Sequence, residues 1–233
     1  MNTVRNNGGM PEVADIGLKV RDLSKVYRHA NRVLFKDLSF DLGRSDRLAI
    51  LGRNGQGKST LIKMLGGVLP ATSGGIDWRM TSSWPIGFSG GFQGSLTGLD
   101  NIRFLSRIYG KEYQDALERV DDFAELGKAL KEPVKHYSSG MRARLAFGLS
   151  LAIEFDCYLI DELVAVGDAR FQKKCQTELF EKRADRSFLL ASHNMHLLKQ
   201  ICDRALVIES GMARIFTDIE EAIEVYQWLH ATP

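Results

Sequence analysis

The amino-acid sequence predicts an α/β fold with a mostly parallel β-sheet, an antiparallel β region near the N-terminus and an inserted helical lobe. Segments 18–26 and 33–42 alternate between apolar and polar residues, as a half-exposed antiparallel sheet does. Between residues 96 and 155 charged and apolar residues mix in a helical pattern. Four short runs are apolar on both faces, as strands of a covered parallel sheet are: 48–51, 157–160, 188–191 and 205–208.

Length and charge indicate one large domain. The chain has 233 residues, enough to bury an apolar core, and its 31 Lys and Arg against 29 Asp and Glu leave a net charge of +2. The capacity to bury a core excludes a disordered tail protein. The balance of charges argues against a general nucleic-acid binder, so any anion site must be local. We expect residues 1–14 to be a flexible leader and 15–233 one domain, with the helical lobe at about 96–155.

The chain has no pattern of a membrane span, a secretion signal or a paired cysteine site. Its richest apolar stretch, residues 145–160, contains Glu154 and Asp156, whereas a membrane helix needs about 20 apolar residues. The three cysteines are widely spaced, which favours a reduced, cytoplasmic setting: Cys157, Cys175 and Cys202.

Two further helices have recognisable patterns. In the segment that begins at Gly140, one apolar stripe recurs at helical spacing: Met141, Leu145, Leu149 and Ala152. Residues 218–233 are predicted to form a final amphipathic helix.

A glycine-rich loop joins strand 48–51 to the helical sequence LIKML, which is the P-loop pattern in its strand-loop-helix context. We expect the loop backbone to surround nucleotide phosphates, with Lys58 as the point charge and the Ser59 hydroxyl as a ligand of Mg²⁺. A chance glycine-rich turn is the alternative, and the glycines do not fall as G-x-G-x-x-G of a dinucleotide fold. The predicted phosphate-binding residues are Gly52, Arg53, Asn54, Gly55, Gln56, Gly57, Lys58, Ser59 and Thr60.

Acidic and imidazole side chains follow two other predicted strands. Asp161 and Glu162 directly follow the apolar run 157–160, at the sheet edge where α/β proteins bind ligands. Asp161 is predicted to hold Mg²⁺ through its water shell, and Glu162 to act as general base on the attacking water. His193 follows the next strand and can contact a γ-phosphate oxygen or hold that water. Taken alone, the acidic pair could be a solvated surface and the histidine structural.

The sequence Tyr137-Ser138-Ser139-Gly140 opens a helix with hydroxyls and a glycine, which suits either a simple helix cap or a second anion site. Together with the P-loop, the Asp-Glu pair and the downstream histidine, in this order, it resembles the ATP-binding-cassette ATPases over nearly the whole chain.

This resemblance implies several residue roles. Ser138 and Gly140 would contact the γ-phosphate held by the opposite subunit of a homodimer. Tyr27, in LSKVY, would stack on adenine, and Asp168, in AVGD, would lie in the loop between subunits. Lys58, Glu162 and His193 would be the catalytic set, with ATP and Mg²⁺ as cofactors.

Some positions depart from the family pattern. The string YSSGM stands where the family has LSGGQ, so Ser139 replaces a glycine and Met141 a glutamine. Gln93 is assigned as the loop glutamine that senses the γ-phosphate, although it lies closer to the lobe than usual. Ser89 and Gly90 are the alternative residues for that place, and the alternative interpretation of Gln93 is a surface loop residue.

Three long strings, at 82–104, 137–162 and 164–175, look like the exporters of bacterial capsular polysaccharide. That resemblance implies a separate membrane-spanning permease and export of a lipid-linked glycan, with this chain peripheral at the cytoplasmic face of the inner membrane. Exporters of O-antigen or teichoic acid are the alternative, although they often carry an extra C-terminal domain. Non-transport cassette proteins of DNA repair or translation are disfavoured, because they have long coiled coils or two cassettes per chain.

Overall fold

The computed structural model describes residues 16–27, 32–86, 92–162 and 169–231. The predicted leader, 1–14, and the predicted site positions Asp168, Ser89 and Gly90 lie outside the described residues. The strands are β1 (Ile16–Tyr27), β2 (Arg32–Gly43), β3 (Arg47–Leu51), β4 (Ser73–Trp78), β5 (Cys157–Asp161), β6 (Ser187–Ala191), β7 (Arg204–Glu209) and β8 (Met212–Phe216). The helices are α1 (Lys58–Leu65), α2 (Gly98–Ile108), α3 (Tyr113–Ala124), α4 (Ser139–Ile153), α5 (Ala169–Gln176), α6 (Met195–Ile201) and α7 (Ile219–Ala231).

In the part of the chain that the structure describes, two β-sheets form the framework. The larger has the order β5-β6-β3-β7-β8, in which β8 alone pairs antiparallel and β3 lies at the centre between β6 and β7. The smaller sheet has the order β2-β1-β4 and is antiparallel throughout. Both sheets confirm the predicted fold class.

The parallel strands are buried on both faces, as their unbroken apolar sequences predict. One face packs with α1 and the antiparallel sheet in a core that includes Leu48, Ile50 and Leu61. The other packs with α6, α7 and the segment 98–155 in a second core that includes Ala49 and Leu51. Alternate residues of β3 therefore enter opposite cores, which fixes the register of the strand that leads into the glycine-rich loop.

Helices α2, α3 and α4 occupy residues 98–153. The prediction of one apolar stripe on α4 is wrong for its second half, because every residue from Leu145 to Ile153 is buried. Helix α4 packs against α2 and α3, and the ring of Phe147 stacks on that of Phe123 at 5.3 Å between centroids. A helix enclosed in this way is apolar all round. Within the described ranges, every helix is too short or too polar to cross a bilayer.

Candidate active site

Three predicted site segments meet at one edge of the parallel sheet. Strands β3, β5 and β6 are adjacent and parallel, so their carboxyl ends lie side by side. Ala191 at the end of β6 pairs with Ile50 of β3 and with Asp161 of β5. The glycine-rich loop, the acidic pair and the segment with His193 therefore start from neighbouring positions.

The glycine-rich loop, residues 52–57, depends on glycine at two points. Gly57 has φ of 114° immediately before α1, a conformation that other residues adopt only with strain. At Gly52 an added Cβ would lie 2.6 Å from the carbonyl oxygen of Ile208 in β7, so only glycine fits against that strand. Helix α1 begins at Lys58 and directs its positive end toward the loop.

The side chain of Lys58 is buried inside the loop. Its Nζ donates hydrogen bonds to the carbonyl oxygens of Gly52, at 2.6 Å, and Arg53, at 3.2 Å. Burial lowers the pKa of Lys58, and the charges of Glu162 and Asp161 partly oppose this effect. Burial removes part of the water around this ammonium. The ammonium therefore interacts strongly with an anion that binds beside it.

A hydroxyl and a carboxylate lie together beside the loop. Ser59 Oγ donates to Asp161 Oδ1 at 2.9 Å, although the two residues are far apart in the sequence. Burial raises the pKa of Asp161, and the hydrogen bond from Ser59 acts against this. A hydroxyl and one carboxylate are the few oxygen ligands that Mg²⁺ takes from a protein when it keeps several waters.

Glu162 and His193 form a pair at the same edge. His193 Nε2 lies 3.1 Å from Glu162 Oε1, and both side chains are exposed. Glu162 has φ of 48° and its backbone N–H donates to the carbonyl of Ala191. A non-glycine residue held at positive φ is strained, and such strain clusters at functional sites.

Two residues that the sequence reasoning missed hold the turn at His193. The backbone N–H of Asn194 donates to Ser192 Oγ at 3.1 Å, and Asn194 Oδ1 accepts from the N–H of Leu197 as N-cap of α6. The signal was present, since Ser and Asn before an apolar helix are typical capping residues.

A cavity of about 140 Å³ opens at this edge. It is lined by Asn54, Gly55, Gly57, Lys58, Ser59, Thr60 and Glu162. Small-ligand pockets usually enclose about 300 to 1,000 Å³. This one suits the phosphate part of a nucleotide only, so the rest of such a ligand would lie on open surface. Tyr27, Gln93, Ser138 and Gly140 are not among the described residues that line it.

Tyr27 ends β1 with its side chain exposed, and Lys25 Nζ lies 5.1 Å from its ring centroid. Its cross-strand partner is Arg32, whose Nη2 donates to the carbonyl of Gly55 at 2.5 Å. Arg32 thus connects the predicted adenine platform to the glycine-rich loop. The sequence reasoning missed it, because this contact depends on how the two sheets pack.

The side chains of Arg53 and Gln56 extend away from the cavity. Arg53 Nη2 donates to the carbonyl of Leu229 in α7, and Gln56 Nε2 donates to Glu209 Oε1 at 3.3 Å. Any contact of these two residues with phosphate would therefore come from their backbone groups.

Gln93 lies beside α2. Its backbone N–H donates to Asn101 Oδ1 at 2.7 Å, and Asn101 Nδ2 donates back to its carbonyl at 3.1 Å. Asn101 is fully buried, so the backbone of Gln93 is held by the helical segment while the residue itself is exposed. Its role as a sensor stays a prediction.

Ser138 is the N-cap of α4, because its Oγ accepts the backbone N–H of Met141 at 3.2 Å. Tyr137 beside it is buried and donates through its hydroxyl to the carbonyl of Ala129 at 2.5 Å. A Cβ added to Gly140 would meet only Ser138 Oγ, at 3.9 Å. The start of α4 is thus held from within and open outside, as a surface that receives another molecule must be.

Fold and site together define a nucleotide-binding cassette, and the sequence comparison agrees. The profile of the family described as ABC transporter matches residues 35–165, so the chain belongs to this family. Membership implies nucleotide binding and work alongside a membrane permease, and it confirms the predicted ATP-binding-cassette ATPase.

Among its relatives are ATP-binding proteins of capsule polysaccharide export and of polysialic acid transport. The chain is 53% identical to the capsule polysaccharide export ATP-binding protein CtrD of Neisseria meningitidis serogroup B, over 91% of this chain and 99% of the relative. Identity to the ATP-binding protein BexA of Haemophilus influenzae is 51%, over 90% and 97%. Identity to the polysialic acid transport ATP-binding protein KpsT of Escherichia coli is 45%, over 90% and 96%. The resemblance to this branch is confirmed.

A solved structure described as the ATP binding subunit of an ABC transporter matches with a TM-score of 0.76. It covers 91% of this chain and 99% of that one at 22% sequence identity, and it supports the fold.

Proposed function

We propose that this chain is the ATP-hydrolysing subunit of a transporter that exports capsular polysaccharide, as a lipid-linked glycan, across the bacterial inner membrane. The observation that carries the proposal is the meeting of Lys58, the Ser59–Asp161 pair and the Glu162–His193 pair at one sheet edge. The relative CtrD, a capsule polysaccharide export protein, and the relative KpsT, a polysialic acid transport protein, support the choice of cargo.

In this proposal the chemistry is phosphoryl transfer from ATP to water. Lys58 and the start of α1 bind the phosphates, and Ser59 and Asp161 would hold Mg²⁺, which would supply positive charge beside the transferred group. Glu162 accepts the proton of the attacking water, and His193, 3.1 Å from it, orients the carboxylate or contacts the γ-phosphate. Because the side chains of Glu162 and His193 are both exposed, water reaches them without a conformational change.

The proposal includes a homodimer. The cavity of about 140 Å³ has room for the phosphates of a nucleotide only, and Ser138 and Gly140 at the open start of α4 are not among its lining residues. Ser138 and Gly140 of one subunit would therefore close over the nucleotide of the other. Tyr27 would stack on the adenine of the nucleotide. Gln93 would sense the γ-phosphate, and Asp168 would lie in the loop between the two subunits.

The permease partner would bind at α2. Phe104 and Ile108 lie one helical turn apart and are 53% and 58% exposed, with Tyr109 beside them at 42%. Clustered large apolar side chains on a surface mark a protein contact. Docking there would keep the chain at the cytoplasmic face of the inner membrane as a peripheral subunit.

A second candidate is export of O-antigen or teichoic acid. The O-antigen export protein RfbB of Klebsiella pneumoniae is 38% identical and the teichoic acids export protein TagH of Staphylococcus haemolyticus is 37% identical. Both identities are lower than those to CtrD, BexA and KpsT.

Replacement of Lys58 with alanine tests the proposed function. Because it removes the cation at the phosphates, affinity for ATP is expected to fall about 10- to 100-fold in a titration. In the source organism, deletion of the gene should abolish surface capsule, and the wild-type gene, but not Lys58→Ala, should restore it. Lys182→Ala removes a lysine paired with Glu178 instead and should restore capsule fully. Loss of O-antigen with capsule intact would contradict the choice of cargo.

Replacement of Phe104 with glutamate tests the permease surface. A charge at the centre of an apolar contact weakens that contact. The amount of this chain recovered together with the proteins of detergent-solubilised membranes is therefore expected to fall about tenfold or more, while ATP hydrolysis by the free chain stays unchanged. Gln114→Glu introduces the same side chain at an exposed position of α3 and should keep the membrane association. Equal recovery of both variants would rule out α2 as the contact.

A further inference from the structure

Two side chains of the glycine-rich loop contact the last part of the fold rather than the cavity. Arg53 donates to the carbonyl of Leu229, and its Nε lies 3.9 Å from Glu209 Oε2. Gln56 donates to the other oxygen of Glu209, Oε1, at 3.3 Å. Gln56 Oε1 in turn accepts the backbone N–H of Ser210 at 3.2 Å. The loop is therefore joined to β7, to the β7–β8 turn and to α7.

Arg53 provides a hydrogen-bond donor for the C-terminus of α7. As the structure describes it, this helix spans Ile219–Ala231, so the Leu229 carbonyl is among its last four, and helices commonly leave these carbonyls to be satisfied by groups outside the helix. A cation at the C-terminus of a helix also interacts favourably with the helix dipole. The guanidinium is thus a cap for α7 that the loop provides.

The same residue is also joined to the catalytic lysine. The carbonyl of Arg53 accepts a hydrogen bond from Lys58 Nζ at 3.2 Å. One continuous set of contacts therefore runs from the end of α7 through Arg53 to the ammonium at the cavity. Glu209, whose side chain is only 20% exposed, holds the second branch of this set through Gln56.

We propose that Arg53 and Gln56 are positioning residues, which fasten the glycine-rich loop to the C-terminal unit formed by β7, β8 and α7, residues 204–231. Nucleotide at the loop and order at the end of α7 are then coupled, and by linkage each stabilises the other. The inference rests on the proposed function in so far as the nucleotide binds at this loop. The rival explanation is that the two side chains swing to the nucleotide and act as direct contacts.

A double-mutant cycle separates the two explanations. Gln56→Glu places a carboxylate against that of Glu209, and ATP affinity is expected to fall about fivefold or more. Glu209→Gln breaks the same pair from the other side, and together the two substitutions rebuild an amide–carboxylate hydrogen bond with exchanged roles. We expect the double variant to return to within about threefold of wild type.

If Gln56 faced the nucleotide, its new negative charge would repel phosphates whatever stood at position 209. The double variant would then remain as weak as Gln56→Glu, which overturns the proposal. Glu224→Gln, which removes an exposed carboxylate from α7, is the matched control for the loss of charge. The same cycle is repeated with the melting temperature of the ligand-free protein as the readout. Additive effects of the two substitutions on the melting temperature would overturn the proposal, even if ATP did not bind.

Amide hydrogen exchange tests the contact of Arg53. The non-hydrolysable analogue adenylyl-imidodiphosphate should slow exchange in residues 219–231 of the wild type, and Arg53→Met at saturating analogue should lose this protection. Arg119→Met, which removes the partner of Glu154 instead, should retain it. Protection that persists in Arg53→Met would overturn the proposal. Since neither readout requires turnover, a failure of the proposed ATPase would be seen separately, as absent hydrolysis with intact coupling.

Discussion

Replacement of Glu162 with glutamine is expected to lower the rate of ATP hydrolysis by about 10² to 10⁴, because an amide cannot accept the proton of the attacking water. Glutamine has the shape of glutamate and can still accept a hydrogen bond from His193, which lies 3.1 Å from the carboxylate. Nucleotide affinity should therefore be retained, and the ATP-bound dimer should persist. Steady-state hydrolysis and an ATP titration on the same preparation check both results.

Glu154→Gln is a closely matched control. Glu154 also has positive φ, 61°, and also lies beside a basic side chain, Arg119, at 2.8 Å, but it follows α4 away from the cavity. Its substitution should leave hydrolysis within a few-fold of wild type. Hydrolysis by Glu162→Gln at a similar level would show that another group is the general base.

Replacement of Ser138 with arginine is expected to abolish hydrolysis while the same chain still binds ATP. The large cation would fill the open start of α4, which in the proposed homodimer closes over the partner's nucleotide. In the wild type, hydrolysis per molecule should rise with protein concentration until the dimer is saturated. Rate measurements paired with size-exclusion chromatography check this, and unchanged specific activity where only monomer exists would refute a shared site.

Loss of the helix cap must be separated from obstruction of the surface. Ser138→Ala removes the hydroxyl that accepts the Met141 N–H, at a cost of about 0.5–2 kcal/mol in stability, but adds no bulk. Thr97→Ala removes the equivalent cap of α2, which accepts the Asp100 N–H at 3.0 Å. Both variants should keep measurable hydrolysis, unlike Ser138→Arg. If Ser138→Ala were equally inactive, the hydroxyl itself, and not the open surface, would be essential.

Much of the fold could be predicted from local sequence. Runs apolar on both faces gave the central strands, because only a sheet covered on both sides buries such a run. The second half of α4 could not be predicted, since its full enclosure results from packing against α2 and α3. A sequence pattern indicates which faces are apolar, but not how many neighbours cover them.

The candidate site was predictable where its side chains lie directly after the carboxyl ends of predicted strands. Lys58, Asp161 and Glu162 lie where the strand-loop pattern predicts, because parallel strands bring their carboxyl ends to one edge. The partners of Arg32 and Arg53 were not predictable. Their contacts with Gly55 and Leu229 span long stretches of chain and depend on how separate elements dock.

The three cysteines make the chain suitable for spectroscopy. Cys157, Cys175 and Cys202 are all buried and free. Burial raises the pKa of Cys175 and of Cys202 to about 12 and raises that of Cys157 as well, so few thiolates are available to react at neutral pH. A maleimide dye or spin label should therefore attach selectively to one engineered exposed cysteine, without a cysteine-free background. Distances between labelled subunits could then report dimer closure in the otherwise native sequence.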